Sequence, residues 1–146
     1  MAVPEYMLKH LLSLLVVSLL CGPPCHALSV VAHPSVNQAD ISLQQLRSIY
    51  TLQQRHWPDG SPVIVFRTQH DTPPLYTQFC REILRVYPSQ LEQLWDRLVF
   101  TGQADRPQSF ISTQEMLQAI ATTPGAIGYT DVKVQNAQVK YLPVKP

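Results

Sequence analysis

The chain is poor in residues that carry chemistry by themselves. Of its 146 residues only three are cysteines, and two of these, Cys21 and Cys25, lie near the start. Cys80 then stands alone, so the body of the chain has no internal disulfide to rely on in an oxidising compartment. Charge is sparse at 14%, with 11 Lys and Arg against 10 Asp and Glu. A net charge of +1 with the signs interspersed leaves no basic stripe for nucleic acid. The soft metal ligands beyond the start, His33, His56, His70 and Cys80, show none of the short paired spacings that metal sites favour. No carboxylate pair or activated nucleophile stands out, so the expectation is a protein that is not an enzyme and uses no cofactor. Cys80 with His70 as base comes nearest to a catalytic pair. However, Cys80 shares an apolar stripe with Phe79 and Ile83, where a thiol serves as packing.

No apolar run is long enough to span a bilayer, which takes about 20 residues. The run at residues 11–20 (LLSLLVVSLL) has ten, preceded by Lys9 and followed by Cys25-His26-Ala27. That pattern is a secretory signal peptide, residues 1–27, cleaved near Ala27. A lipoprotein acylated at Cys21 is the rival, set back by the bulky Leu20 before it. Cleavage removes Glu5 and Lys9 together, so the net charge does not change. Residues 28–146 then make one ordinary domain with one core, expected in the periplasm or secreted.

Within that domain, strand and helix signals alternate. Residues 28–32 (LSVVA) read as a strand, ended by His33-Pro34-Ser35. Ser42 and Gln45 form a capping box before a helix with Leu43, Leu46, Ile49 and Tyr50 on one face. Residues 57–61 (WPDGS) are a turn. In it Trp57 is either a contact residue or a cover for the sheet edge. Residues 63–66 (VIVF) are a short β-branched run, as in a strand covered on both faces. A polar turn follows, then a helix with Thr72 as N-cap and Pro73 at its first position. That helix carries Leu75, Phe79, Ile83 and Val86 as a stripe, with Cys80 and Leu84 beside it. Tyr87-Pro88 breaks it. Ser89 and Glu92 form a second capping box, before Leu91, Leu94, Trp95 and Leu98. Residues 100–102 (FTG) close that helix, and residues 103–108 read as a polar loop. Ser112 and Glu115 form a third box, feeding Met116, Leu117 and Ile120. Residues 126–129 (AIGY) are a strand whose Gly128 suggests close approach of another backbone. Residues 139–144 read as a last edge strand, weakened at Pro143. The sum is an α/β fold with a mixed, mostly parallel sheet and helices on both faces.

Four stretches in this order, 41–50 (ISLQQLRSIY), 57–60 (WPDG), 63–67 (VIVFR) and 123–129 (TPGAIGY), resemble the phosphate-binding proteins of ABC transporters. The Trp-bearing helix running into residues 100–102 brings the chain close to short, exported, single-lobe relatives of that family. The resemblance spans about residues 30–142 and implies one lobe of a type II periplasmic-binding-protein fold. It further implies a solute-binding-like module, with a small phosphate-like anion held at the strand–turn–helix of residues 63–79. The residues implied for that role are Arg67, Thr68, Gln69, His70 and Thr72.

The family's Ser-Gly-Thr positions are here Asp71, Thr72 and Pro73. Pro73 lacks an N–H, and the Asp71 carboxylate within about 4 Å of an anion costs several kcal/mol. Arg67 can grip an anion in bidentate fashion or pair with Asp71. His70 is a hydrogen-bond donor and pH sensor or a loop residue without a role. The alternative function is a module that has lost the ligand and docks on an envelope sensor, porin or transporter.

Overall fold

A computed structural model of the chain describes residues 27–69, 74–134 and 138–146. The expected signal segment lies outside these residues, apart from Ala27. The order is β1 (Ser29–Ala32), β2 (Ile41–Ser42), α1 (Leu43–Tyr50), β3 (Ile64–Thr68), α2 (Leu75–Gln78), which continues as a π-helical turn (Phe79–Leu84), α3 (Pro88–Phe100), β4 (Gln108–Phe110), α4 (Thr113–Thr122), β5 (Ala126–Thr130), β6 (Lys140–Leu142) and β7 (Val144–Lys145).

Five strands form one sheet in the order β4-β3-β5-β1-β6. β3 pairs in parallel with β4 and β5, and β1 pairs antiparallel with β5 and β6, so four strands share one direction and β1 opposes them. The fold is the expected mixed α/β sheet. β2 and β7 make a small parallel pair, Ile41 opposite Val144. Neighbouring residues of β5 show that helices cover both faces. Gly128 lies under Ile120 and Met116 of α4. Tyr129, one residue on and so on the other face, stacks on Phe79 at 4.0 Å between ring centroids and lies 6.4 Å from Tyr50 of α1. The buried apolar residues form one cluster.

Two of the expected caps are in place. Ser42 Oγ accepts the Gln45 N–H at 3.1 Å, and Ser112 Oγ accepts the Glu115 N–H at 3.2 Å. The box expected at Ser89 and Glu92 is not, because α3 starts two residues earlier, with Pro88 in its first turn and Tyr87 at the N-cap. Proline is favoured at that position, where its missing N–H has no helical partner to lose.

β4 lies where a polar loop was expected to end, since an exposed edge strand needs no apolar alternation. The stripe on α2 also turns. The π segment inserts an extra residue per turn, so Leu75, Tyr76, Phe79, Cys80 and Leu84 are buried while Ile83 and Val86 are only partly so.

Gly128 meets side chains rather than a backbone. The glycine that a backbone approaches is Gly125, where an added Cβ would stand 2.2 Å from the Pro62 carbonyl oxygen. Trp57 settles as a cover. It is 2% exposed and its Nε1–H donates to the Gly125 carbonyl at 3.0 Å.

Candidate functional site

β3 delivers its last residues to the carboxyl end of the sheet, where α/β folds place ligands. Arg67 is the fourth residue of that strand and shares a face with Tyr129, because Val65 pairs with Ile127 and side chains alternate. It is 8% exposed. Its guanidinium carbon lies 5.3 Å from the ring centroids of both Tyr76 and Trp95. Nη1 lies 3.0 Å from Glu92 Oε1 of α3, an ion pair without hydrogen-bond alignment. The other oxygen of Glu92 accepts from Nη1 of Arg106, whose Nη2 donates to Asp96. Arg67 Nε is buried with no hydrogen-bond partner among the described residues.

The other expected site residues separate. Thr68 is buried and committed to Tyr129, whose hydroxyl oxygen accepts its N–H at 2.9 Å and lies 3.1 Å from its Oγ1. Gln69 is exposed, and its N–H donates to the Phe110 carbonyl at 2.9 Å. His70, Asp71, Thr72 and Pro73 lie outside the described residues. The described helix begins at Leu75, with Pro74 at the N-cap and no side-chain cap. At the same end of the sheet β4 leads into α4, whose first turn carries Glu115.

The interior beneath Arg67 is polar but closed. Burial pushes the Cys80 thiol up to about 12, against a smaller opposing effect from the Tyr76 hydroxyl. Burial, then Cys80 and Glu92, raises Tyr76 far above the usual phenol range. Burial likewise raises Tyr129 and Tyr50. These are groups held neutral, and Cys80 is not a nucleophile at ordinary pH.

A groove of about 560 Å³ lies elsewhere, where the start of β3 meets the end of α3; Arg55, Phe66, Val99, Arg106 and Pro107 are among its walls.

The sequence reading missed Glu92 and Arg106. One signal was available. Glu92 and Asp96 are like charges four apart on one helix, which repel unless a cation lies between them. Arg106 is that cation.

No family model matches the chain, and neither does any curated protein. Solved structures do match its fold. One is a phosphate ABC transporter substrate-binding protein with bound phosphate from Clostridium perfringens, with 18% identity and a TM-score of 0.64 over 80% of this chain and 44% of that one. A second is PstS from Borrelia burgdorferi, with 16% identity and a TM-score of 0.59 over 81% of this chain and 47% of that one. A third is an ABC-type phosphate transport receptor from Vibrio cholerae, with 14% identity and a TM-score of 0.58 over 80% of this chain and 45% of that one. The chain has the fold of part of these proteins and spans less than half their length. Among the described residues, no helix is long and apolar enough to cross a membrane.

Proposed function

We propose that the chain is an exported, solute-binding-like module in which the Glu92 carboxylate holds the charge of Arg67 that a small anion would otherwise engage. The ion pair at 3.0 Å carries this reading. A phosphate-like anion at Arg67, Thr68, Gln69, His70 and Thr72 then has to compete with a carboxylate tethered in place. An intramolecular partner is present at high effective concentration, so the competition favours Glu92. The buried Nε of Arg67 supports a residual capacity for an anion, because an unpaired buried donor gains by finding an acceptor.

Calorimetry of the chain and of its Glu92→Gln variant against phosphate, sulfate and acetate tests this. The expected result is little or no heat from the chain and measurable phosphate binding by the variant. Silence from both at millimolar anion ends the anion reading.

The second reading, a module docking on an envelope sensor, porin or transporter, draws on the same pair. An arginine neutralised from within leaves the lobe as a scaffold. Capture of one such membrane protein by the chain from its own envelope extract supports this reading, and a clean extract counts against it.

A further inference from the structure

Two arginines share the Glu92 carboxylate, and it serves them unequally. Oε2 accepts a hydrogen bond from Nη1 of Arg106. Oε1 lies 3.0 Å from Nη1 of Arg67, yet it makes no hydrogen bond among the described residues. An arginine and a carboxylate left to themselves close fork to fork, with two parallel N–H···O bonds. Arg67 and Glu92 are near enough for that. What they lack is orientation.

A carboxylate is planar, so fixing one oxygen directs the other. Arg106 is itself held, because its Nη2 donates to Asp96, one turn further along α3. The plane of Glu92 is therefore set from the Arg106 side. This accounts for a second oddity. Arg67 Nε is buried without a hydrogen-bond partner among the described residues, although a carboxylate stands against the same guanidinium. Stability is a poor account of the outer pair. The side chains of Arg106 and Asp96 are 36% and 67% exposed, and ion pairs open to water contribute little.

We propose that Arg106 is a positioning residue for the Arg67 site. By holding Oε2 it keeps Glu92 from closing on Arg67 with both oxygens, and so leaves the Nε–H open to an acceptor from outside. The last torsion of a glutamate is soft. Without Arg106 the carboxylate turns, and Arg67 is capped from within. The proposal rests on the reading of Arg67 as a residual anion site, but its first test needs no anion.

That test is nuclear magnetic resonance of the nitrogen-15-labelled full chain in mild non-ionic detergent. The Nε–Hε signal of Arg67 is identified by its loss in Arg67→Lys. A hydrogen bond to a carboxylate moves such a proton downfield and slows its exchange with water. Arg106→Gln should do both. Arg106→Lys, which still offers a cation to Oε2, should keep the signal near its parental position. In the Glu92→Gln chain, Arg106→Gln should leave it unmoved. A merely structural role for Arg106 would not give this pattern. Phosphate is then titrated on the same signal. Asp96→Asn leaves Arg106 to Glu92 alone and should tighten phosphate binding about threefold or more, the weight of one surface ion pair. Adding Arg106→Gln should cancel that gain. A signal indifferent to Arg106→Gln overturns the proposal, and so does a shift that persists in the Glu92→Gln chain. Where Glu92→Gln binds phosphate, an Asp96→Asn chain without the gain overturns it too. If Glu92→Gln takes no phosphate but the signal moves as expected, the anion reading fails and the positioning by Arg106 stands.

Discussion

Removing Glu92 should harm the fold far more than removing Arg67, its partner. Arg67 is nine-tenths buried, against Tyr76 and Trp95, and among the described residues Glu92 is the carboxylate that faces it. Glu92→Ala leaves that guanidinium desolvated and uncompensated, which costs about 3–5 kcal/mol. Arg106 keeps Asp96, so its share of the loss is under about 1 kcal/mol. Arg67→Met is a milder change. Glu92 keeps Arg106, and the unsatisfied Nε disappears along with its penalty of about 1–3 kcal/mol. The thioether stays between the two rings, a contact that sulfur favours. The net cost of Arg67→Met should be about 1–2 kcal/mol, leaving a gap of about 2–3 kcal/mol between the variants, or about 10 °C in Tm for a domain this size. The assay is urea unfolding followed by tryptophan fluorescence. The double variant sharpens it, since Arg67→Met should restore stability to the Glu92→Ala chain. If Arg67→Met costs as much as Glu92→Ala, or the double variant is additive, Arg67 is not a buried charge waiting on Glu92.

Three further outcomes follow from the packing. Gly125→Ala should cost about 3 kcal/mol or more, because φ is +79° and the new Cβ would meet the Pro62 carbonyl; Gly102→Ala, at φ +67° in open space, should cost only about 1 kcal/mol in the same urea titration. Gly128→Ala drives a Cβ to 2.7 Å from Ile120 Cδ1, so Ile120→Val should recover most of the lost stability, and a double variant no better than Gly128→Ala would contradict that. Cys80 ordinarily titrates near 9.0 and is held up to about 12, with three buried tyrosines also raised, so the folded state retains protons that the unfolded chain loses. Stability should therefore be complete below pH 9 and fall as pH rises from there toward 12, with Cys80 unreactive to thiol reagents until the chain unfolds. A Tm that holds or rises over that range would refute it.

What was legible in the sequence was local. Ser42 and Ser112 declared their helices because a cap acts within three residues. Residues 63–66 and 126–129 declared their strands because a covered strand must be apolar. The π turn was hidden, since a 3.6-residue period predicts Ile83 and Val86 inside while the extra residue brings in Cys80 and Leu84 instead. β4 was hidden as well, because an edge strand paired on one side carries no apolar alternation. Gly128 was marked as unusual by being glycine, but that its close neighbour is Ile120, and that Gly125 is the one approached by Pro62, depends on residues far away in sequence.

The site was least legible where it matters most for function. Residues 63–79 present a strand, an arginine and a polar turn, and that pattern alone points outward to a ligand. Among the described residues Arg67 meets Glu92, 25 positions further on, through a helix whose start the sequence placed two residues late. The difference is one of charge accounting. In a chain with 11 cations and 10 anions, a buried arginine at a strand end has to be neutralised by something. Sequence spacing offered Asp71 or a solute as that something. The like-charged pair Glu92 and Asp96, tolerable only with a cation between them, was the sign that this face of α3 had its own electrostatic work to do. An anion that binds this lobe must therefore displace a carboxylate as well as reach an arginine, which is why neutralising Glu92 should reveal phosphate affinity that the parent chain does not display.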